Sequence, residues 1–306
     1  MTLDIRSATL LVECARLGSL GRAASALGMT QPAVTRMLKR LEDSYRVTLF
    51  ERTTRGVVPT VYGEALLPYA KLIVSGVAQA GNVIEEMRGA SRGVVRVGGV
   101  ASAVVGFIVA SIARMRREYP DLQFQVVEEL GDRLLDALKV GEIDLAILPV
   151  LYADDEITLA TPDIFHDSVA AFARAGHPIL ANRRVSLRDA ARQDWALPPS
   201  GTPVSQEWLR RFHGKDIEPR PPAIVSRSVQ ILKSAVLNEN MLCWMPVPQM
   251  RAELATGKLV RVPCPELDWR RDFRIYRRKR GLMTPSAAIL VENMRQIGQE
   301  NAHELV

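Results

Sequence analysis

The polar and basic side chains between residues 31 and 40 are of the types that recognise a nucleic-acid duplex. Glutamine can pair in a bidentate manner with adenine and arginine with guanine, whereas lysine and threonine can hold phosphates. The apolar residues Val34, Leu38 and Leu41 predict a helix with these groups on its outer face. That outer face carries Gln31, Thr35, Arg36, Lys39 and Arg40. The pattern is typical of a DNA-reading helix, but a solvated face on an ordinary amphipathic hairpin would show the same periodicity.

Two shorter helical segments precede this helix and would position it. Apolar residues at helical spacing predict a first helix over 4–17, closed by Gly18. Ser19 is a natural N-cap for a short second helix, and Gly28 can adopt the left-handed conformation that ends it. The segment 30–32, Thr-Gln-Pro, then opens the third helix, where a proline in the first turn is tolerated. Two short helices joined by a tight turn are the helix-turn-helix pattern.

Residues 49–60 predict a two-stranded wing beside these helices. Arg52 and Arg55 lie close to Gly56, between β-prone residues. A basic tip in this place would contact the DNA backbone or the minor groove, where arginine is favoured. A surface hairpin with incidental arginines is the alternative.

The charge distribution favours an acidic partner for the N-terminal part of the chain. The 306 residues carry a net charge of +6, and residues 1–60 contain nine basic and five acidic residues. Four of the six net positive charges therefore lie in the first fifth of the chain, as phosphate binding requires. With 47% hydrophobic residues the chain can form a sizeable core.

The N-terminus lacks the features of a secretion signal, which makes a cytoplasmic protein the expectation. The uncharged segment 97–113 is at the lower length limit for a membrane span, and a strand followed by a helix describes it better. The three cysteines form no CxxC motif, so neither a zinc site nor a disulfide framework is predicted.

The segment 18–63 resembles the DNA-binding domain of LysR-type transcriptional regulators. The matching residues are Ser19, Ala23-Ala24, Leu27, the run 30–36, Leu41-Glu42, Leu49-Phe50, Arg52, Thr60 and Gly63, whereas Arg46 stands where the family usually has glycine. The resemblance implies a winged helix-turn-helix over residues 1–60. The DNA-binding residues that it implies are Ser19, Thr30, Gln31, Pro32, Ala33, Thr35, Arg36, Lys39, Arg40, Arg52, Thr53 and Arg55.

A long helix is predicted after this domain, at about residues 61–88. Its apolar positions follow a heptad spacing: Leu66, Ala70, Ile73, Val77, Ala80, Ile84 and Met87. Such a narrow apolar stripe requires a partner helix, and packing against the second domain of the same chain is the alternative. The resemblance implies a linker and dimerisation helix over 61–91, a homodimer through it, and a homotetramer through the sensing domains.

The remaining residues alternate between predicted strands and helices. Strands are predicted at 94–99, 123–129, 143–149, 169–173, 195–198, 223–226, 241–245 and 273–277, with a last helix that starts at Thr284-Pro285. The first three strands and their helices indicate a parallel sheet. The stretch resembles the two-lobed, periplasmic-binding-protein-like effector domain of the same regulators, with lobe I over 92–163 and 266–306 and lobe II over 164–265. The expected fold class is α+β multidomain.

Two loops at the carboxyl ends of predicted strands could bind an anion, because helix N-termini offer free N–H groups there. They are residues 100–103 and 198–204. The resemblance implies that these loops face each other across a cleft, with residues 226–229 and Gly131 beside them. The effector-binding set is Ala101, Ser102, Gly131, Ser200, Gly201, Thr202 and Ser228. A carboxylate-type metabolite would suit such donors, although serine and threonine before a helix are most often only N-caps.

Other features predict neither a cofactor nor a metal. The four histidines have no ligand spacing, and no constellation of nucleophile, acid and base indicates an enzyme. A transport-type binding protein is the other rival, and it should carry a secretion signal. The run 270–280 contains seven basic residues, which could extend the DNA footprint or lie on the exposed faces of a β-hairpin. The sequence thus predicts an effector-controlled transcription regulator that binds double-stranded DNA, and a contact with RNA polymerase is left open.

Overall fold

The computed structural model describes residues 3–54, 56–87, 93–149, 152, 154–163, 165–281 and 283–302. Arg55 at the predicted wing tip lies outside the described residues, as does the segment 88–92 between the linker helix and the next domain.

Three helices and a two-stranded hairpin form the N-terminal reading head, which we define as residues 3–60. Its elements are α1 (Ile5–Leu17), α2 (Leu20–Ala26), α3 (Gln31–Tyr45), β1 (Phe50–Thr53) and β2 (Gly56–Pro59). Gly18 ends α1 with a φ of 60°, and the Ser19 hydroxyl accepts a hydrogen bond from the backbone N–H of Arg22 at 3.4 Å. Gly28 follows α2 with a φ of +63°. The predicted helix starts and stops are therefore confirmed.

The hairpin is fastened to the helices at two places that only glycine fits. The Val57 N–H donates to the Gly18 carbonyl at 2.9 Å, and a Cβ on Gly56 would lie 2.1 Å from the same oxygen. In the first turn of the next helix, a Cβ on Gly63 would lie 2.2 Å from the Leu49 carbonyl oxygen. Any larger residue at Gly56 or Gly63 would collide with backbone, which cannot move as a side chain can.

Glu42 joins α3 to the start of the wing. Its Oε1 accepts hydrogen bonds from the backbone N–H groups of Leu49 at 2.7 Å and Phe50 at 3.3 Å. On the other side of the hairpin, the Thr60 hydroxyl donates to the Thr48 carbonyl at 2.7 Å. Several residues that carried the family resemblance therefore hold the wing in place.

The linker helix α4 extends from Val61 to Met87. The packing of its heptad stripe differs from the packing that the sequence predicted. The first members of that stripe pack against the reading head: Ala70 is fully buried in that core, and Leu66 and Ile73 pack on it. Val77 and Ile84, farther along, are exposed. The first half of the stripe thus covers the reading head of its own chain, a neighbour that the sequence prediction did not include.

The second domain is one mixed sheet with helices on its faces. Its strands are β3 (Val94–Gly99), β4 (Gln123–Glu128), β5 (Leu145–Leu148), β6 (Ile157–Leu159), β7 (Phe165–Arg174), β8 (Asp194–Leu197), β9 (Ile224–Val225), β10 (Met241–Pro246), β11 (Leu259–Arg261) and β12 (Trp269–Arg278). Its helices are α5 (Ala101–Ala103), α6 (Val109–Glu118), α7 (Gly131–Lys139), α8 (Leu187–Ala191), α9 (Pro203–His213), α10 (Val229–Asn238), α11 (Val247–Ala255) and α12 (Pro285–Ala302). A π-helical turn, Val104–Ile108, joins α5 to α6.

The strand order is β4-β3-β5-β12-β7-β10-β8-β9, with β6 beside β12 and β11 beside β7. The two long strands β7 and β12 are antiparallel and cross between the lobes. The first half of β12 pairs with β7 and the second half with β5 and β6. This central strand replaces the exposed β-hairpin that the basic run 270–280 suggested. Its place between β5 and β7 leaves its alternate residues Phe273 and Ile275 fully buried.

Separate cores support the two lobes. In the core of lobe I, Phe107 packs at centroid distances of 5.9 Å from Phe273 and from Phe165, which begins the crossing strand β7. In lobe II, Trp195 and Trp208 make an edge contact at 5.4 Å. Within the described residues, no helix has the length and apolar character needed to cross a membrane.

Candidate DNA and effector sites

The outer face of α3 projects from the reading head into solvent. Thr30, Gln31, Pro32, Arg36, Lys39 and Arg40 are exposed, and Ala33 and Thr35 are half-buried. The opposite face, Val34, Leu38 and Leu41, is buried in the core. None of the described hydrogen bonds or ion pairs engages the side chains of Gln31, Arg36 and Lys39. The helix therefore presents unengaged amide, guanidinium and ammonium groups on one convex surface.

The start of α3 is open as well. Thr30 is its N-cap residue, yet its side chain makes no capping hydrogen bond. This leaves the Thr30 hydroxyl available to a ligand. Pro32 has no N–H and the Ala33 N–H donates to the Thr30 carbonyl at 3.0 Å, so the positive end of the helix dipole and the Gln31 N–H are what this end offers to an anion. Ser19 differs, because its half-buried hydroxyl caps α2.

The wing lies beside this helix. Arg52 and Thr53 are exposed on β1, and the Thr53 hydroxyl donates to the Gly56 carbonyl at 3.3 Å. An open groove of about 620 Å³ separates α3 from the wing, and Lys39 and Arg52 line it. Arg46 lines it as well, together with the acidic Glu42 and Asp43, and the three basic side chains can hold a phosphate backbone.

The candidate effector residues of lobe I lie at adjacent strand ends. Strands β3 and β4 are parallel, and the Glu129 N–H donates to the Gly99 carbonyl at 3.4 Å where both end. Residues 100–103, predicted as a loop, are the N-cap and the single turn of α5, and with Gly131 they share one edge of the sheet. Ser102 is 2% exposed, Ala101 is half-buried, and Gly131 begins α7.

The candidate residues of lobe II share a strand edge in the same manner. Strands β8 and β9 are parallel, and the Ser226 N–H donates to the Leu197 carbonyl at 3.1 Å. Thr202 caps α9 through the Ser205 N–H at 3.4 Å, and Ser228 caps α10 through the Ile231 N–H at 3.4 Å. Ser200 and Gly201 are exposed in the loop before α9. The capping alternative thus describes Thr202 and Ser228 in this structure.

A buried ion pair connects the crossing strands to Ser102 on α5. Arg271 on β12 and Asp167 on β7 face each other in register, with side-chain exposures of 5% and 1%. The Arg271 Nε donates to Asp167 Oδ1 at 2.7 Å, and Nη2 donates to Oδ2. The same Nη2 donates to the Ser102 hydroxyl at 2.8 Å.

The sequence pattern did not reveal this pair. Arg271 is one of seven basic residues in 270–280, and Asp167 is more than a hundred residues away. Only the antiparallel register of β7 and β12 brings the two together. The available signal was an acidic residue two positions before the apolar run 169–173, where strand alternation places it on the same face as the buried Val169.

A row of polar contacts joins α4 to lobe I. Lys71 forms an ion pair with Glu142 at 2.8 Å. One turn later the Ser75 hydroxyl donates to the Val140 carbonyl at 3.3 Å. A further turn on, the Gln79 amide donates to Asp144 at 2.8 Å and accepts from Arg278. We call this row the linker clamp.

The thiols and histidines form no reactive cluster among the described residues. Cys14, Cys243 and Cys264 are buried and unpaired, and burial raises the pKa of their thiols to about 11, 12 and 11 respectively. His166 and His213 lie beside Asp272 and Glu218, whereas His303 is outside the described residues. In the part of the chain that the structure describes, no three His, Cys, Asp or Glu side chains converge as metal ligands would.

The fold defines a winged helix-turn-helix joined by a long helix to a two-lobed α/β domain, and comparisons with known proteins agree. The family described as "LysR substrate binding domain" matches residues 88–299. The family described as "Bacterial regulatory helix-turn-helix protein, lysR family" matches residues 5–64. The chain therefore belongs to the LysR family of transcriptional regulators, and it is a DNA-binding regulator with an effector-binding domain.

Individual relatives support this assignment, and solved structures share the fold. The chain is 30% identical over 239 residues to the HTH-type transcriptional regulator GbpR of Azospirillum brasilense, covering 78% of this chain and 70% of the relative. It is 28% identical to the regulator GalR of Pseudomonas putida, covering 90% and 69%. Its fold is similar to a full-length OxyR variant of Pseudomonas aeruginosa, with a TM-score of 0.71, 20% identity and coverage of 96% and 95%. It is also similar to full-length CbnR complexed with its target DNA, with a TM-score of 0.67, 20% identity and coverage of 96% and 99%.

Proposed function

We propose that this regulator reads operator DNA with the outer face of α3 and the wing, under the control of a carboxylate-type metabolite bound between its two lobes. The convex row of exposed, unengaged side chains on α3 carries the DNA part of the proposal. A convex helix of this width fits the major groove of B-form DNA.

Within this surface the residues would have different tasks. Gln31 and Arg36 would contact base edges, because amide and guanidinium groups make bidentate pairs with adenine and guanine. Thr30, Thr35, Lys39 and Arg40 would contact phosphates, with Pro32 and Ala33 packed against the duplex at the start of α3. Arg52, Thr53 and Arg55 would contact the backbone or the minor groove, and Ser19 would act through the N-terminus of α2.

The carboxylate part of the proposal is supported by hydroxyl groups at helix starts in both lobes. Ser102 and Gly131 in lobe I, and Ser200 to Thr202 with Ser228 in lobe II, would face one ligand across the cleft. Ser102 accepts a hydrogen bond from Arg271, so its own proton remains free for donation to an anion. A capping hydroxyl such as Thr202 can also line a site, because its helix N-terminus favours negative charge.

Oligomerisation would combine two surfaces. On α4 the exposed residues Tyr62, Tyr69 and Leu72 form an apolar stripe next to the face that packs on α1. A second copy of α4 laid along this stripe would place two reading heads on one duplex and form the homodimer. A homotetramer would then use the sensing domains, where the edge strand β4 is exposed along almost its whole length.

The linker clamp would couple the two sites. It connects α4, which holds the reading heads, to the Gly141 turn and β12 of lobe I. A ligand that favours one arrangement of the lobes would thereby bias the position of α4. Such a protein acts where promoter DNA is, in the cytoplasm, and a contact with RNA polymerase is a further expectation of this role.

Binding to operator fragments tests the proposal. We expect Gln31→Ala and Arg36→Ala each to weaken specific binding by about 1–3 kcal/mol, because each removes a bidentate base contact. Lys39→Ala should weaken binding to all sequences alike and reduce its salt dependence. Gel-shift titrations of operator and unrelated duplexes at several salt concentrations separate the two effects. Operator affinity that is unchanged in both Gln31→Ala and Arg36→Ala would contradict the assignment of α3.

A further inference from the structure

Arg271 has donors that its observed partners do not use. A guanidinium offers five N–H groups in a planar fork. Asp167 takes one from Nε and one from Nη2, and Ser102 accepts from Nη2. The Nη1 group has no hydrogen-bond partner among the described residues. Because a buried guanidinium gains from having every donor paired, this group is suited to an external acceptor.

The orientation of this guanidinium is fixed before any ligand arrives. Asp167 holds it from the neighbouring strand, and the rings of Trp269 and Phe273 lie 5.6 and 5.1 Å from its central carbon. Trp269 is in turn stacked on Trp244 at 5.7 Å. The side chain retains 5% exposure, and the unpaired Nη1 is not fully buried. A fixed fork with one free end is the geometry that recognises a planar carboxylate.

The neighbouring Ser102 supplies the second donor. Its hydroxyl oxygen is 2.8 Å from Arg271 Nη2 and accepts that hydrogen bond. The hydroxyl proton is therefore directed elsewhere, and polarisation by the guanidinium strengthens it as a donor. One carboxylate could accept from the Ser102 hydroxyl with one oxygen and from Arg271 Nη1 with the other.

We propose that Arg271 is a direct ligand of the effector carboxylate and that Asp167 is the residue that positions it. This inference rests on the proposed carboxylate site and names the cation that site requires. The net charge of the Arg271–Asp167 pair is zero, so recognition comes from short, directed hydrogen bonds. The site therefore favours planar carboxylates over spherical anions such as chloride.

Calorimetry on the full chain tests this assignment, with acetate, benzoate and succinate as probes and chloride as a reference anion. Arg271→Lys keeps the positive charge opposite Asp167 but loses the planar fork. We expect it to bind the carboxylates about tenfold to a hundredfold more weakly than the wild type. Arg270→Lys is the matched control, because Arg270 is the exposed neighbour on the same strand, and it should bind like the wild type.

Two checks keep the result decisive. In the first check, Arg271→Lys must match the wild type in effector-free operator affinity and in thermal unfolding. In the second, the double variant Arg271→Met, Asp167→Leu removes both charges together and should also lose carboxylate binding. Wild-type carboxylate affinity in both variants would overturn the role of Arg271 and leave the carboxylate site standing. Failure of the wild type to bind any of the probes would instead overturn the carboxylate proposal, and this inference with it.

Discussion

The reading head and the effector region differ in whether their polar side chains already have hydrogen-bond partners. In the head, Glu42 and Thr60 hold the wing, whereas Gln31 and Arg36, which we propose as base-reading residues, stand free in solvent, and Ser19 is an exception because it caps α2. In the effector region Thr202 and Ser228 already cap helices, and Ser102 is engaged by Arg271. The physical reason is exposure, because an exposed polar group keeps its hydrogen bonds to water, whereas a buried hydroxyl such as that of Ser102 needs a protein partner.

The largest effect should come from breaking the buried pair of the effector region. Arg271→Met alone, or Asp167→Leu alone, leaves one buried charge without its partner and should lower the free energy of unfolding by about 3–5 kcal/mol. The double variant removes both charges and should recover most of that loss. Urea unfolding of the three variants measures this. Additive losses in the double variant would mean that the two side chains do not act as a pair.

The head should show its largest loss at a glycine. Gly63→Ala places a Cβ against the Leu49 carbonyl, and we expect a loss of roughly 1–3 kcal/mol together with weaker DNA binding. Gly81→Ala is the matched control on the same helix, where nothing lies within 4 Å of the added Cβ. It should stabilise α4 by about 0.5–1 kcal/mol through helix propensity alone. If the two variants change the thermal unfolding equally, the contact between the added Cβ at Gly63 and the Leu49 carbonyl is not the cause of the loss.

Removing a capping hydroxyl in lobe II should have a smaller effect. Thr202→Ala should reduce stability by about 1 kcal/mol, because the Ser205 N–H loses its acceptor. Ser186→Ala should cost about as much, since Ser186 caps α8 in a capping box. Only Thr202→Ala should also weaken carboxylate binding in calorimetry. If both variants bind the probes like the wild type, Thr202 is a cap and nothing more.

The smallest expected effect concerns the thiols of the two regions, whose pKa values are both raised by burial. Burial raises the folded-state pKa of Cys14 in the head to about 11 and of Cys243 in lobe II to about 12. An unfolded thiol ionises near its ordinary pKa, so the unfolded state binds fewer protons above that pH. Stability should therefore fall as the pH rises from about 9 towards 11. Alkylation at about pH 8 should be slow in the folded protein and fast in urea, and rapid labelling of the folded protein would contradict this.

Much of the head could be predicted from the sequence because its signals are local. Gly18, Ser19 and Gly28 mark helix ends within a few residues of the helices they close. The apolar spacing of α3 determines its inner face and therefore its outer one. In the second domain the strands of the parallel sheet were also predicted from short apolar runs, whereas the short strands β6 and β11 gave no comparable signal.

The packing of the heptad stripe on α4 could be predicted from the sequence only in part. Apolar spacing correctly predicted that α4 is one helix with a packed face. It did not predict which neighbour covers that face, because α1 and a second copy of α4 require the same apolar residues. The packing of Ala70 into the core of the head is a tertiary result.

The sequence by itself determined most of the elements, the family and the chemistry of the outer face of α3, since each depends on residues close together in the chain. Only the tertiary structure decided how the effector region is organised. The register between β7 and β12 brings Arg271 opposite Asp167 and within hydrogen-bond distance of Ser102, across separations of more than a hundred residues. A long-range pairing of this kind leaves no periodicity in the chain, because it depends on how strands cross and not on the spacing of neighbouring residues.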